Sequence, residues 1–162
     1  MGLRAAFPGT FDPLTVGHLA VAQAAHHELH LEVVELVISV DPIGKQAGSP
    51  VSERLAAIEQ HRAGRPWLTG RQTAHRLLAD IAEGYDVLVI GADKWHQLHD
   101  LSYYGGADAR DEALARLPRL VVAPRAGAAL PDDPSVHVLR TPVGVREVSS
   151  TAVRAGRDDW RA

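Results

Sequence analysis

Apolar residues along this chain fall into short runs, and the stretches between them have helical composition. The first run, LRAAF at residues 3–7, stops at a turn of Pro, Gly and Asp. From residue 19 the segment LAVAQAAHHEL is rich in Ala and Leu, side chains that lose little rotamer freedom in a helix. A second largely apolar run, VVELVISV at 33–40, closes at Asp41 and Pro42, and the loop after it carries two glycines before Pro50. Ser52, Glu53 and Arg54 lead into LAAIEQH, which reads as a second helix, and a third helix is predicted over 73–83 after Pro66 and Trp67. VLVI at 87–90 runs straight into Gly91 without polar alternation, the pattern of a strand buried on both faces. A short helical piece follows, 103–106 reads as a loop and 111–117 as a helix. Runs at 120–123 and 136–139 complete the strands, separated by PRAGAALPDDP. There is no internal repeat and no low-complexity tract. Strands alternating with helices imply right-handed crossovers, hence an α/β fold of three layers with a mainly parallel sheet and helices on both faces. In such sheets ligands bind beyond the carboxyl ends of the strands, so chemistry should sit directly after the apolar runs.

The length of 162 residues suits one domain, 1–162. Seventeen Lys and Arg against 20 Asp and Glu give a formal charge of 17 − 20 = −3, which argues against a nucleic-acid partner, since that needs clustered cations to neutralise phosphates. Nothing approaches the roughly 20 apolar residues of a membrane helix, and MGLRAAFPGTFDP lacks the zones of a secretory signal, so no membrane partner is expected and the expected address is the cytoplasm. The absence of cysteine removes disulfides, thiolate zinc and cysteine nucleophiles together. His26 and His30 are four apart, His96 and His99 three apart, but neither pair has a convincing third ligand, so no protein-held metal site is expected.

Two stretches concentrate polar groups where the crevice should be. GTFDPLTVGH, residues 9–18, follows the first strand: Gly9, Thr10 and Phe11 open a turn whose main-chain N–H groups can face an anion, and Gly17 beside His18 leaves room at a helix start. By themselves these residues also fit a plain turn with Thr15 as helix cap. Near the C-terminus, VSSTAVR places Val148, Ser149, Ser150 and Thr151 ahead of Arg154, a helix start with hydroxyls and a guanidinium suited to phosphate oxygens, or equally a capped surface helix.

Together the two strings resemble the signatures of the nucleotidyltransferase superfamily, written (H/T)-x-G-H and I-S-S-T-x-x-R, which includes nicotinate mononucleotide and phosphopantetheine adenylyltransferases. The resemblance implies a Rossmann-like fold and transfer of AMP from ATP, carried with Mg²⁺, to a phosphate-bearing acceptor with release of pyrophosphate. It implies His18, Thr15 and Arg154 as catalytic residues. His18 would meet the α-phosphate; Gly9, Thr10 and Thr15 would contact phosphates; Ser149, Ser150, Thr151 and Arg154 would hold the outgoing pyrophosphate.

VIGADKW, residues 89–95, resembles the G-A-D segment of nicotinate and nicotinamide mononucleotide adenylyltransferases. There Gly91 and Asp93 would lie against the nucleotide and Asp93 would accept from ribose hydroxyls, or else cap the next helix. Trp95 would stack on a pyridine ring or simply pack. Lys45 and Arg125 match approximate positions of phosphate-facing cations in that branch, and each also suits a solvated loop. G-A-D-K-W and the R-A-G string favour a pyridine mononucleotide as acceptor, for NAD synthesis, whereas Thr15 and the modest length favour phosphopantetheine. A non-catalytic nucleotide sensor on the same fold is the other class. The nicotinate branch usually continues past the second signature, whereas this sequence stops at Ala162. The loops 41–50 and 101–110 are expected to close over the acceptor, and a homo-oligomer is compatible with the family.

Overall fold

Alternate residues of each apolar run feed opposite faces of one sheet. The computed structural model describes residues 2–40 and 48–162 and contains six strands: β1 (Leu3–Gly9), β2 (Leu31–Ser39), β3 (Leu68–Thr73), β4 (Val87–Gly91), β5 (Arg119–Ala123) and β6 (His137–Val138). All pair in parallel, in the order β3-β2-β1-β4-β5-β6. Val87 and Val89 of β4 join one core cluster with Ala5, Phe7, Leu36, Ile38 and Val121, while Leu88 and Ile90 join the other with Ala6, Val37 and Val122. Every residue from Val87 to Ile90 is buried, which explains a run with no polar alternation.

The first cluster is covered by α1 (Val16–Leu29), through Ala22, Ala25 and Leu29, and by α2 (Val51–Gln60), through Ile58. The second is covered by α3 (Leu78–Ile81), α4 (Ala92–Leu98) and α5 (Ala107–Arg116), through Ile81, Ala92, Leu98 and the half-buried Leu114. The expected three-layer α/β architecture is therefore what the chain adopts. Strand order reverses at β1, which has β2 on one side and β4 on the other, and a crevice opens there at the carboxyl ends.

Two predicted elements differ. Instead of a helix over 73–83, residues 68–73 form the edge strand β3 and only the four residues of α3 are helical. LTGRQT shows no apolar alternation because one face of this edge strand is polar, and on its other face Gly70 lies under α2. A Cβ there would come within 3.2 Å of Leu55 and Ile58. The 101–110 loop is shorter than expected, since α5 begins at residue 107.

Full burial of Ile90 in a two-sided core makes its truncation costly. Ile90→Ala should lower the unfolding free energy by about 2–5 kcal/mol in urea titrations, whereas Leu130→Ala, at a side chain 50% exposed, should change it by no more than about 0.5 kcal/mol. Equal midpoints for the two variants would contradict this core.

Candidate functional site

Beyond Gly9 the chain turns back on itself. Phe11 adopts φ 48° and is buried, with its ring edge-on to Phe7 at 5.4 Å and to His18 at 4.8 Å. A left-handed conformation costs a bulky residue about 1–3 kcal/mol, and burial of the aromatic ring offsets it. The ring closes over β1's exit so tightly that a Cβ on Gly9 would lie 2.8 Å from Phe11 Cζ, so only glycine fits. Asp12, which sequence reasoning passed over, is buried and accepts hydrogen bonds from the N–H groups of Gly48 (2.7 Å) and Ser49 (3.3 Å). Arg54, also buried, donates to the carbonyls of Ser49 (3.1 Å) and Thr10 (2.7 Å). Burial raises the Asp12 pKa, but the hydrogen bonds of Ser49 and Gly48 and the charge of Arg54 outweigh it, and the carboxyl is held below its ordinary value.

α1 opens with a capping box in which histidine replaces the usual acidic partner. Thr15 Oγ1 accepts from the His18 N–H (3.2 Å), and His18 Nδ1 accepts from the Thr15 N–H (3.0 Å). A backbone N–H can only donate, so the neutral imidazole carries its proton on Nε2. Thr15 is 0% exposed and does not line the crevice. Its polar atoms are turned inward to hold the imidazole, whereas the expectation was of a phosphate contact at Thr15.

The C-terminal stretch is fastened onto this loop. Ser150 Oγ donates to the Pro13 carbonyl (2.7 Å), Arg154 donates to the Asp12 carbonyl and to Thr151 Oγ1 (3.3 Å), and Arg125 Nη1 donates to the Val148 carbonyl (3.2 Å). Gly17 packs against Val148: a Cβ there would stand 3.0 Å from the valine's Cβ and Cγ1. Ser149 caps α6 (Ser150–Arg154) by accepting from the Ala152 N–H at 3.1 Å. With five residues, α6 contributes little dipole, so the larger field at the crevice comes from the 14-residue α1.

These contacts enclose a cavity of about 300 Å³ at the strand reversal. Of the predicted residues, Gly9, Thr10, Phe11, Gly17, His18, Gly91, Asp93, Arg125, Val148, Ser149, Ser150, Thr151 and Arg154 all line it. Asp93 lies in the first turn of α4 without capping it, and its carboxylate folds over Gly91, where a Cβ would be 2.6 Å from Oδ1. Lys94, not singled out from sequence, also lines the cavity. A second cavity of about 140 Å³ adjoins the first, sharing Pro8, Gly9, Thr10 and Lys94 with it, and adds Arg76, Leu78, Ile81, Tyr103 and Tyr104. Burial raises the pKa of Tyr104, whose hydroxyl donates to the Leu98 carbonyl at 2.9 Å.

Trp95 lines neither cavity. It packs on the core beneath α4 and meets His99 edge-on at 4.7 Å, the packing alternative. Lys45 falls outside the described residues. His26, His96 and His99 each bond a backbone carbonyl, of Leu31, Ala129 and Trp95. Among the described residues no group of three or more His, Asp or Glu side chains could hold a metal ion, and no helix is long and apolar enough to cross a membrane.

A parallel, doubly wound sheet with a cation-lined crevice at its reversal defines an α/β protein of the Rossmann type. The sequence profile of the Cytidylyltransferase-like family matches residues 6–156, and the chain belongs to that family. The nucleotidyltransferase resemblance is thereby borne out. The chain is 29% identical to a probable nicotinate-nucleotide adenylyltransferase of Stenotrophomonas maltophilia over 215 aligned positions, covering 100% of this chain and 90% of that protein. A protein of the same description from Desulfitobacterium hafniense is 30% identical over 110 residues, covering 62% of this chain and 49% of the relative. In fold the chain resembles a Plasmodium falciparum nicotinic acid mononucleotide adenylyltransferase complexed with NaAD, at TM-score 0.70 and 12% identity over 96% of this chain and 83% of that one.

The Asp12 carboxylate makes the crevice loop sensitive to acid. Its folded pKa lies below the unfolded value of about 4, so its contribution is present above that pH and is lost as pH falls through the folded pKa. Asp12→Asn should be less stable than the wild type at pH 6, and the gap should narrow steadily on acidification from pH 5 to pH 2.5 in urea titrations. A gap independent of pH would exclude this role.

Proposed function

We propose that this protein is an adenylyltransferase that moves AMP from ATP to nicotinate or nicotinamide mononucleotide and releases pyrophosphate, a step in NAD synthesis carried out in the cytoplasm. The observation that carries this reading is that His18 and Arg154, from opposite ends of the chain, line one cavity at the strand reversal. The family assignment and the full-length similarity to a probable nicotinate-nucleotide adenylyltransferase support it.

The reaction needs no protein nucleophile. A phosphate oxygen of the acceptor attacks the α-phosphorus in line, and the protein's contribution is alignment and charge stabilisation. His18 Nε2–H, oriented by Thr15, donates to the α-phosphate, where charge accumulates as the leaving oxygen departs. The start of α1 favours the same anion. Ser149, Ser150, Thr151 and Arg154 hold the β- and γ-phosphates, Arg125 steadies their segment through Val148, and Asp93 accepts from ribose hydroxyls. Magnesium fits as an ion carried by the triphosphate, since Mg²⁺ keeps several waters and needs few protein ligands; bound there it would screen the phosphate charge. Of the residues present, Asp93 is the carboxylate closest in kind to such a ligand, because Asp12 is engaged by N–H groups.

The smaller cavity suits the acceptor. Tyr103 and Tyr104 offer aromatic surface for a pyridine ring, a role sequence reasoning gave to Trp95, and Arg76 offers a cation for a carboxylate or phosphate. Thr15 discriminates little between acceptors, because it faces His18 and not the crevice.

Incubation with ATP, Mg²⁺ and each candidate acceptor should release pyrophosphate with a pyridine mononucleotide. Release with phosphopantetheine alone would reassign the acceptor, and no release with any would leave a nucleotide sensor. His18→Ala should lower kcat by about 10²–10³ while ATP affinity, measured calorimetrically, changes much less. An unchanged kcat would remove His18 from the mechanism.

A further inference from the structure

Two anions have to meet at the boundary between the cavities, and one cationic side chain stands on it. Among the described residues, the larger cavity is lined by His18, Lys94, Arg125 and Arg154 and the smaller by Arg76 and Lys94, so Lys94 is the basic residue common to both. The remaining shared wall is the backbone exit of β1 at Pro8, Gly9 and Thr10. Lys94 reaches that wall from the first turn of α4, its Nζ 3.3 Å from the Pro8 carbonyl oxygen. Arg54 binds the Thr10 carbonyl two residues further on, so cations grip the ridge on either side of Gly9.

We propose that Lys94 is a further catalytic residue, its ammonium bridging the acceptor's phosphate and the α-phosphate of ATP across the ridge between the cavities. This rests on the adenylyltransferase reading and on the acceptor occupying the smaller cavity. An ammonium is a compact charge on a flexible four-carbon stem, so from the ridge it acts on the acceptor's phosphate and on the α-phosphate at once. In the reaction an ionised acceptor oxygen forms a bond to the α-phosphorus, the bond from that phosphorus to the bridging oxygen breaks, and the electron pair leaves with pyrophosphate. No proton need be removed from the attacking oxygen. The obstacle is repulsion between the incoming phosphate and the triphosphate, and a positive charge shared by both relieves it most when the two are closest, which is in the transition state. His18 and Arg154, which line only the larger cavity, act on the donor alone.

The experiment compares wild type, Lys94→Met and Lys94→Arg in steady-state pyrophosphate release with ATP, Mg²⁺ and nicotinate mononucleotide, with calorimetric ATP binding and thermal melting of each. Lys94→Met should lower kcat/KM for the mononucleotide by about 10²–10³, with ATP affinity within about threefold and an unchanged melting temperature, and Lys94→Arg should recover at least tenfold of the loss. A merely structural lysine would lower ATP binding and melting temperature together with activity, and that pattern overturns the proposal. So does Lys94→Met turnover within threefold of wild type. A wild type that releases no pyrophosphate overturns the adenylyltransferase reading and this one with it, whereas an active wild type with an unaffected Lys94→Met overturns this one alone.

Discussion

The crevice exists because residues 148–154 are clasped onto the loop at residues 9–18. Ser150 and Arg154 donate to successive carbonyls, those of Pro13 and Asp12, while Gly17 lets Val148 lie directly against the start of α1. Each such hydrogen bond adds only about 0.5–1.5 kcal/mol net, but their partners lie more than 130 residues apart, at |i−j| 137 and 142. Closing that loop is rewarded only when the whole sheet is in place, so the site and the fold form together. Arg125 extends the clasp by binding the Val148 carbonyl from the end of β5.

The electrostatics of the crevice run against those of the chain. An overall charge of −3 coexists with a cavity lined by His18, Lys94, Arg125 and Arg154, while its buried carboxylate, Asp12, is satisfied by N–H groups of residues 48 and 49. Three of these side chains bind backbone carbonyls: Lys94 takes Pro8, Arg125 takes Val148 and Arg154 takes Asp12, and the buried Arg54 behind the loop takes Thr10. The same charges therefore hold strained backbone, including Phe11 at positive φ, and leave the crevice positive toward an anion.

The inward turn of Thr15 separates two roles that the T-x-G-H string merges. Threonine orients the imidazole, glycine admits Val148, and histidine lines the cavity. The string is short because the first turn of a helix brings residues three apart into contact, so one local conformation delivers all three functions.

The sequence alone determined the layer architecture and the strands at 3–7, 33–40, 87–90 and 120–123, because these follow from local periodicity and composition; that residues 9–18 and 148–154 serve one site was implied by their resemblance to the two family signatures. β3 escaped it, since an edge strand with one polar face and a glycine beneath a helix carries no apolar alternation. Asp12 and Arg54 escaped it because the burial of a charge depends on partners 36 to 44 residues away. Only the tertiary structure decided that Trp95 turns from the crevice while its neighbour Lys94 sits between two cavities: on a helix, adjacent residues point about 100° apart, and which of them meets the ligand is set by how α4 rolls onto the sheet.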